Sequence, residues 1–423
     1  MPAEDLAADV IGGVPAEALA QSYGTPLLVL DTDVLDAQLG LFTELGARFD
    51  LDVCYAGKAL LFVALAKRIA RSSLGLDICS LGELLTAERA AFPPQRLVFH
   101  GCGKTDEELR AACAGRVGRV VVDNSEELER LSAFADPLHP VRILLRVNPG
   151  IEAHTHAYVR TGGEESKFGF PLYALDAALD AATRARGLRL TGIHAHLGSA
   201  IFDPAPYEAS VEVLLDAYAR ARERGAPVSD LVIGGGFGVD PHPGGERFDL
   251  RATLAGVTEA LALATAARGV PRPRLGIEPG RAIVAAAGTS LYRVVAVKRQ
   301  GARRFAIVDG GIADNPRPAL YGAYHHPELA GRRSHAPLEM TTVCGRSCEN
   351  DRLVDAPLPA DLKAGDLLAM GTTGAYTYSM ASNYNRFPKP AVVFAGGSRH
   401  RLVVRRETSE DVLRDDVLDD GLT

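Results

Sequence analysis

Polar residues and glycines follow several of the apolar segments in the first two thirds of this 423-residue chain. Lys58 follows the first segment, His196 follows the sixth and Glu278 follows the eighth. Three consecutive glycines, 234–236, follow the seventh. A lysine amine can bond covalently to a carbonyl group, and glycine N–H groups can come close to a phosphate. These residue types therefore predict a site for a phosphorylated carbonyl compound.

Pyridoxal phosphate is the cofactor that fits these parts. It needs an amine, a phosphate clamp, a partner for its pyridine nitrogen and a group against its ring. Glu278 could favour the protonated pyridine nitrogen, which makes the ring a stronger electron sink, and His196 could pack on the ring. Taken alone, Lys58 could be a surface residue at the rim of the fold, and His196 could be a buried, hydrogen-bonded histidine. Their combination with the glycines favours the cofactor site.

Eight short strand-like segments must position these residues, and helical periodicity follows them along the chain. The strands are predicted at 51–55, 74–78, 96–99, 119–122, 143–147, 190–195, 231–233 and 275–277. Helices are predicted at 59–71, 82–91, 125–134, 172–186, 207–224 and 250–268. Eight such units favour a closed (β/α)8 barrel of the TIM type, in which chemistry gathers at the carboxyl ends of the strands. A doubly wound open sheet is the alternative, but no G-x-G-x-x-G follows the first strand.

The last third of the chain has a different sequence pattern, in which short strand-like runs are separated by Gly, Pro and Asp. This pattern predicts a second, mainly β domain, a barrel or a sandwich, which a strand at 26–30 joins. The predicted division is a cofactor-binding barrel over 36–285 and a β-domain formed by 1–35 and 286–423. We expect the β-domain to contribute substrate-binding and dimer-interface residues.

Composition and charge exclude several classes of protein. A net charge of −7 argues against a nucleic-acid binder, which needs a concentrated basic surface. No segment has the length and apolarity of a membrane span, and residues 1–5 do not resemble a signal peptide, so we expect a cytoplasmic protein. The six cysteines are scattered, which favours buried thiols over disulfides and gives no reason to expect a metal site.

Longer motifs occur in order along nearly the whole chain. They lie at 55–59, 152–156, 166–169, 194–199, 234–236, 278–281, 308–311, 317–321, 348–349, 374–376, 382–385 and 405–408. With these motifs the chain resembles the alanine-racemase-like, fold type III class of pyridoxal-phosphate enzymes, and within that class the diaminopimelate decarboxylases.

The resemblance implies a role for each matching residue. Lys58 would hold the cofactor covalently, His196 would stack on its ring and Glu278 would face its pyridine nitrogen. The implied cofactor-binding set is Lys58, His196, Ser199, Gly235, Gly236, Glu278, Gly280, Arg281 and Tyr376. The implied substrate-binding set is Arg281, Arg317, Tyr321, Glu349 and Tyr376, with Glu349 on the distal amine. Cys348 would come from the partner subunit of a homodimer as the candidate catalytic proton donor, so that the active site is shared.

The activity implied by the resemblance is decarboxylation of an amino acid, meso-2,6-diaminopimelate, to L-lysine and carbon dioxide. Leu60, Cys102 and Asn350 depart from the family pattern near the predicted site. They leave open a decarboxylase that acts on a different amino acid or on an aminoacyl group tethered to a carrier protein. A cofactor-binding protein without decarboxylase activity would not need the substrate-binding set. An alanine racemase would set a basic residue, in place of Glu278, against the pyridine nitrogen.

Overall fold

The computed structural model describes residues 9–151, 166–246 and 248–417, so the motif at 152–156 lies outside the described residues. The chain divides into two compact units. The barrel unit comprises Gln38–Val239 and Glu246–Ile283, and the β-rich unit comprises Met1–Ala37, Asp240–Gly245 and Val284–Thr423. These limits lie within two residues of the predicted ones at 36 and 285. The exception is Asp240–Gly245, which the sequence analysis placed in the barrel and which groups with the β-rich unit.

The first elements of the chain belong to the β-rich unit. They are β1 (Val10–Ile11), β2 (Val14–Pro15), α1 (Ala16–Tyr23) and β3 (Leu27–Asp31), and they lead into α2 (Thr32–Phe49).

Alternating strands and helices form the barrel unit. The strands are β4 (Leu51–Ala56), β5 (Gly75–Ile78), β6 (Leu97–Phe99), β7 (Arg119–Val122), β8 (Val141–Asn148), β9 (Phe170–Pro171), β10 (Leu188–His194), β11 (Asp230–Val232) and β12 (Arg274–Ile277). The helices are α3 (Val63–Ala70), α4 (Leu81–Arg89), α5 (Asp106–Cys113), α6 (Ser125–Phe134), α7 (Leu175–Arg184), α8 (Ala205–Glu223) and α9 (Leu250–Arg268). Short 3₁₀ turns occur at Gly57–Ala59, Pro94–Arg96 and Leu172–Ala174.

The sheet closes on itself, because β10 pairs in parallel with both β8 and β11. Among the described residues, the remaining strands pair in parallel in the order β11, β12, β4, β5, β6, β7 and β8, and β9 is added at β8. The predicted (β/α)8 barrel is therefore confirmed, and each predicted strand overlaps one of the observed barrel strands. Parallel strands direct their carboxyl ends to one face, so the residues that follow them can meet there.

Local sequence signals explain where several barrel helices begin and end. Helix α5 begins with a capping box in which Thr105 and Glu108 satisfy each other's backbone N–H groups. Asn124 caps α6 by accepting the N–H of Glu127, and Gly269 ends α9 in the left-handed conformation. Helices α4 and α6 start within three residues of the ends of β5 and β7, so these loops are short, whereas longer loops follow β10 and β11.

The β-rich unit is built around an extended sheet. Its remaining strands are β13 (Gly288–Gln300), β14 (Arg303–Val308), β15 (Pro327–Ala330), β16 (Leu338–Cys344), β17 (Arg352–Pro359), β18 (Leu367–Met370), β19 (Ala391–Gly396) and β20 (Arg399–Val404). The chain also forms α10 (Arg281–Val284), α11 (Arg317–Tyr321), α12 (Ser409–Leu413) and 3₁₀ turns at Tyr378–Met380 and Tyr384–Arg386. The strand order is β17, β16, β14, β13, β3, β19 and β20, so the N-terminal strand joins this sheet as predicted.

Two apolar clusters stabilise the β-rich unit. One contains Leu19, Leu27 and Val393, and the other contains Tyr292, Val343 and Met370, all of which are buried. Within the described part of the chain, no helix is both long and apolar enough to span a membrane.

Candidate active site

A cavity of about 440 Å³ lies at the carboxyl ends of the barrel strands. Its lining includes Lys58, Asp77, His100, His196 and Glu278. This volume is in the range of sites that bind small molecules and cofactors. Three residues predicted from the sequence, Lys58, His196 and Glu278, thus line one cavity within the barrel unit.

Lys58 lies in the tight turn Gly57–Ala59, directly after β4. Gly57 and Ala59 are buried while Lys58 is exposed. A Cβ atom on Gly57 would lie 2.7 Å from the carbonyl oxygen of Asp77, so only glycine allows the turn to pack this closely. The turn therefore fixes the position of the backbone from which the Lys58 amine reaches the cavity.

Glu278 lies among imidazole groups at the end of β12. The Nε2 atom of His194 is 3.1 Å from both carboxylate oxygens, and the Nε2 atom of His100 is 3.3 Å from Oε1. Burial disfavours ionisation, but these two partners outweigh it and hold the pKa of Glu278 well below its ordinary value. Burial lowers the pKa of His194 to about 4, so His194 is neutral and the cation beside Glu278 is His100.

His100 is held in its charged form by two carboxylates. Its Nε2 atom is 3.5 Å from Asp77 Oδ1 as well as close to Glu278. Burial disfavours the charged imidazole, but Glu278 and Asp77 outweigh this and raise the pKa of His100 to about 9. Burial and the charge of Glu278 raise the pKa of Asp77 to about 6. At neutral pH the cluster therefore carries an ionised Glu278 and a protonated His100.

The raised pKa of His100 predicts a pH-dependent stability. His100 titrates near 6.5 when unfolded and near 9 when folded, so its contribution is complete below pH 6.5 and is lost as the pH rises through 9. We expect the free energy of unfolding of the wild type to exceed that of His100→Gln by a margin that shrinks by up to about 3 kcal/mol over this window. Denaturant unfolding of both cofactor-free proteins at several pH values measures this difference in the free energy of unfolding.

The exposed His139 provides the control for this experiment. His139→Gln should change the free energy of unfolding by less than about 1 kcal/mol at every pH of this window, because its pair with Asp136 lies at the exposed surface. A constant difference for His100→Gln would contradict the charged state assigned to His100.

His196 is oriented by the glycine-rich loop. The N–H of Gly235 donates to Nδ1 of His196 at 3.2 Å, which places the ring proton of the neutral form on Nε2. Burial and the charge of Lys58 hold the pKa of His196 well below its usual range. His196 is therefore a neutral, fixed ring at the cavity, suited to packing on a flat aromatic ligand.

The triple glycine has room only for hydrogen at its α-carbons. A Cβ atom on Gly235 would collide with the carbonyl oxygen of Glu278, and one on Gly236 would collide with that of Gly198. Gly234 and Gly236 also adopt φ values of 76° and 94°, which L side chains rarely adopt. The sequence thus uses glycine where the backbone must approach its neighbours, and the same geometry allows N–H groups to approach a phosphate.

The motif at 278–281 is tied to the loop that carries the lysine. The N–H of Ala56 donates to the carbonyl oxygen of Pro279 at 3.0 Å, and a Cβ atom on Gly280 would come within 3.1 Å of the Cβ atom of Ala56. Arg281 donates from Nη2 to the Ser199 hydroxyl at 3.2 Å. Arg281 and Ser199 are thus in contact, and Gly280 packs against the loop that carries Lys58. Their roles in binding a phosphate remain predictions.

The β-rich unit contains the other predicted residues, in two groups. The guanidinium carbon of Arg317 lies 5.2 Å from the ring centre of Tyr321 and 5.4 Å from that of Tyr376. Cys348 and Glu349 lie in the segment between β16 and β17 and are exposed. The substrate-binding roles of these residues remain predictions.

Asp77 is a polar residue of the cavity that did not emerge from sequence reasoning as a site residue. Asp77 lies inside the apolar strand β5, is 7% exposed and has no hydrogen-bond partner for its carboxylate oxygens among the described residues. Arg146, a polar residue at the end of the fifth predicted strand, also lines the cavity, with its guanidinium over the ring of Phe168 at 4.4 Å. A carboxylate one residue before the end of a buried strand was the signal for Asp77.

The available side chains fit pyridoxal phosphate. The amine of Lys58 and the carboxylates of Glu278 and Asp77 line a cavity of suitable size, and the glycine backbone that packs against His196 and Glu278 admits no side chain. A positive aromatic nitrogen would compensate the carboxylates, and the glycine N–H groups suit a phosphate.

Comparison with a protein-family model defines the class. Residues 36–285 match the family described as "Pyridoxal-dependent decarboxylase, pyridoxal binding domain". This match covers more than half of the chain, including the barrel strands and the cavity, and it assigns the protein to the pyridoxal-phosphate-dependent decarboxylases.

Individual relatives narrow this class to one family. The diaminopimelate decarboxylase of Actinosynnema pretiosum subsp. auranticum is 46% identical over 96% of this chain and 92% of the relative. That of Bacillus subtilis is 41% identical over 96% and 94%. The crystal structure of diaminopimelate decarboxylase from M. jannaschii has a TM-score of 0.89 at 29% identity, with 98% and 97% of the two chains covered. The chain belongs to the diaminopimelate decarboxylase family.

Proposed function

We propose that this protein decarboxylates meso-2,6-diaminopimelate to L-lysine and carbon dioxide, with pyridoxal phosphate as the cofactor. The observation that carries the proposal is the cavity that places Lys58 and an ionised Glu278 together at the carboxyl ends of the barrel strands. The names of the relatives support the substrate. The Helicobacter pylori diaminopimelate decarboxylase in complex with L-lysine, 31% identical with a TM-score of 0.86, supports the product.

Most of the residues that would hold the cofactor belong to the barrel unit, and Tyr376 belongs to the β-rich unit. Lys58 would bind the cofactor covalently, His196 would pack on its ring, and Glu278 would hold the proton of its pyridine nitrogen. Its phosphate would be bound by backbone groups of Gly235, Gly236, Gly280 and Arg281, with Ser199 and Tyr376. When bound, pyridoxal phosphate supplies an electron sink for the pair of electrons that the departing carboxylate leaves behind.

The residues that bind the distal end of the substrate would distinguish diaminopimelate from other amino acids. Arg281, Arg317 and Tyr321 would bind the distal carboxylate, and Glu349 would bind the distal ammonium group. The ring contacts of Arg317 support this role, because they place its guanidinium beside Tyr321, which would bind the same carboxylate. Tyr376 would contact both the cofactor and the substrate. Cys348 would deliver the proton to the α-carbon after carbon dioxide has left.

A panel of substrates tests the proposal. The purified protein with added pyridoxal phosphate is incubated with meso-diaminopimelate and, in parallel, with lysine, ornithine, arginine and glutamate, while carbon dioxide and the amino product are measured. We expect rapid formation of L-lysine from meso-diaminopimelate and little turnover of the others. No turnover of any of these amino acids, with the cofactor bound, would overturn the proposed substrate and favour an aminoacyl group tethered to a carrier protein.

We further propose a homodimer in which Cys348 of one subunit serves the site of the other, and a cytoplasmic location, as the sequence predicts. Mixing the inactive variants Lys58→Ala and Cys348→Ala tests the shared site. Exchange of subunits should restore activity to about a quarter of the wild-type value, because half of the dimers are mixed and each has one intact site. Mixtures that stay as inactive as their parents, with subunit exchange shown by native mass spectrometry, would exclude sharing.

A further inference from the structure

One turn of the β-rich unit contacts both predicted functional residues of the segment between β16 and β17. This turn, 382–386, includes the 3₁₀ turn Tyr384–Arg386. The Tyr384 hydroxyl donates to Oε1 of Glu349 at 2.6 Å, and the backbone N–H of Cys348 donates to Oδ1 of Asn385 at 3.1 Å. The motif at 382–385 was part of the family resemblance, but no role followed from it.

The turn is held in place independently of the segment that it contacts. The side-chain amide of Asn383 donates to the carbonyl oxygen of Phe387 at 3.0 Å and to the carboxylate of Glu407 at 2.6 Å. The N–H of Ser382 donates to the carbonyl oxygen of Ala313 at 2.8 Å. These bonds make the turn a fixed support.

The backbone of the turn is strained in a way that serves these contacts. Asn385 and Arg386 have φ values of 51° and 60°, although neither is glycine. Consecutive left-handed residues cost free energy and persist where the surrounding contacts require them, and asparagine tolerates this region better than most residues. The conformation coincides with the hydrogen bond from Cys348 to the Asn385 side chain.

The other end of the segment is fixed by Asp351. Its carboxylate accepts the hydroxyl of Ser347 at 2.6 Å and the N–H of Ile312 at 2.6 Å. The segment that contains Cys348 and Glu349 is therefore held at two places, by Asp351 and by the turn that contains Tyr384 and Asn385.

We propose that Tyr384 and Asn385 are positioning residues that orient Glu349 and Cys348 for the substrate. Tyr384 occupies one carboxylate oxygen of Glu349 and thereby directs the other toward the distal ammonium group of the substrate. Asn385 fixes the backbone from which the Cys348 thiol projects. The inference rests on the proposed function for the role of Glu349, whereas the role of Asn385 can be tested without turnover.

Binding of two amino acids to Tyr384→Phe tests the first part. The KM of meso-diaminopimelate is compared with the Ki of 2-aminopimelate measured in competition with it, because this compound keeps both carboxylates but lacks the distal amine. We expect the KM to rise about tenfold, because a hydrogen bond to a charged group is lost, with kcat and the Ki within about twofold of the wild type. The matched control is Tyr23→Phe, which removes an exposed hydroxyl bonded to His400.

The comparison separates positioning from general damage. An equal loss of affinity for both compounds, or an unchanged KM for meso-diaminopimelate, would overturn the assignment of Tyr384. Tyr23→Phe should leave both constants unchanged.

Amide hydrogen exchange at Cys348 tests the second part in the holoenzyme. Asn385→Gly keeps a backbone that accepts the left-handed conformation but removes the acceptor, whereas Asn385→Asp keeps an acceptor oxygen. We expect exchange of the Cys348 amide to accelerate at least about tenfold in the glycine variant and to stay near the wild-type rate in the aspartate variant. Wild-type exchange in both variants would overturn the assignment of Asn385. If the wild type failed to decarboxylate meso-diaminopimelate while the exchange result held, the proposed function alone would fall.

Discussion

Replacement of Lys58 by alanine is expected to remove the covalent cofactor and to lower kcat by at least about 10⁴-fold. The lysine is the basic side chain on the tight turn after β4, and the cavity surrounds it with groups that suit the rest of the cofactor. Without its amine, the cofactor can be held only by non-covalent contacts. Borohydride reduction followed by peptide mapping detects the attachment, and release of carbon dioxide from meso-diaminopimelate measures the turnover.

Lys67→Ala is the matched control, because Lys67 is an exposed lysine of α3 in the same unit. It should keep both the trapped adduct on Lys58 and the wild-type rate. Turnover retained by Lys58→Ala would refute the assignment of the cofactor lysine, whatever the control showed.

Replacement of Glu278 by glutamine is expected to lower kcat by about 10²- to 10³-fold, while the cofactor remains bound. Glutamine keeps the shape of the side chain but removes the negative charge that the cluster holds in ionised form. The neutral amide cannot stabilise a protonated pyridine nitrogen, so the electron sink is weakened at the step where carbon dioxide leaves. The measurements are kcat for meso-diaminopimelate and a cofactor titration that confirms full occupancy.

Glu44→Gln is the control for this loss of charge. Glu44 forms an exposed ion pair with Arg251 in the barrel unit, so its replacement should leave kcat within about twofold of the wild type. If Glu278→Gln were as active as Glu44→Gln with the cofactor bound, Glu278 could not be the partner of the pyridine nitrogen. A loss of cofactor binding alone would point to a role in affinity.

The barrel could be predicted because its signals are local. Each strand is a short apolar run with a clear end, and the predicted helices at 125–134 and 250–268 coincide with α6 and α9. The predicted helix at 59–71 was less accurate, since α3 begins only at Val63. The residues before it form the turn that packs against the backbone of Asp77, a contact that sequence periodicity does not contain.

The site was predictable where residue type and position agreed, as for Lys58, His196 and Glu278. It was not predictable where the role of a residue depends on neighbours that are distant in sequence. Asp77 becomes noteworthy only once His100 is found 3.5 Å away.

The short segment Asp240–Gly245 is a second example of this limit. It lies between barrel residues in sequence but groups with the β-rich unit, where the ring of His242 stacks on Tyr324 at 4.1 Å with an angle of 8° between the planes. No local signal in Asp240–Gly245 indicates this partner, because Tyr324 lies far along the chain.

The position of β3 in the middle of its sheet has a consequence for synthesis on the ribosome. Leu27 pairs with Leu291 on one side and with Ala391 on the other. This apolar strand is therefore synthesised before both of its neighbours, and the later neighbour, β19, follows only after the whole barrel unit and most of the β-rich unit. During that time its edges are open to other chains. The nascent protein should therefore depend on chaperones more than a protein whose sheet consists of consecutive hairpins would.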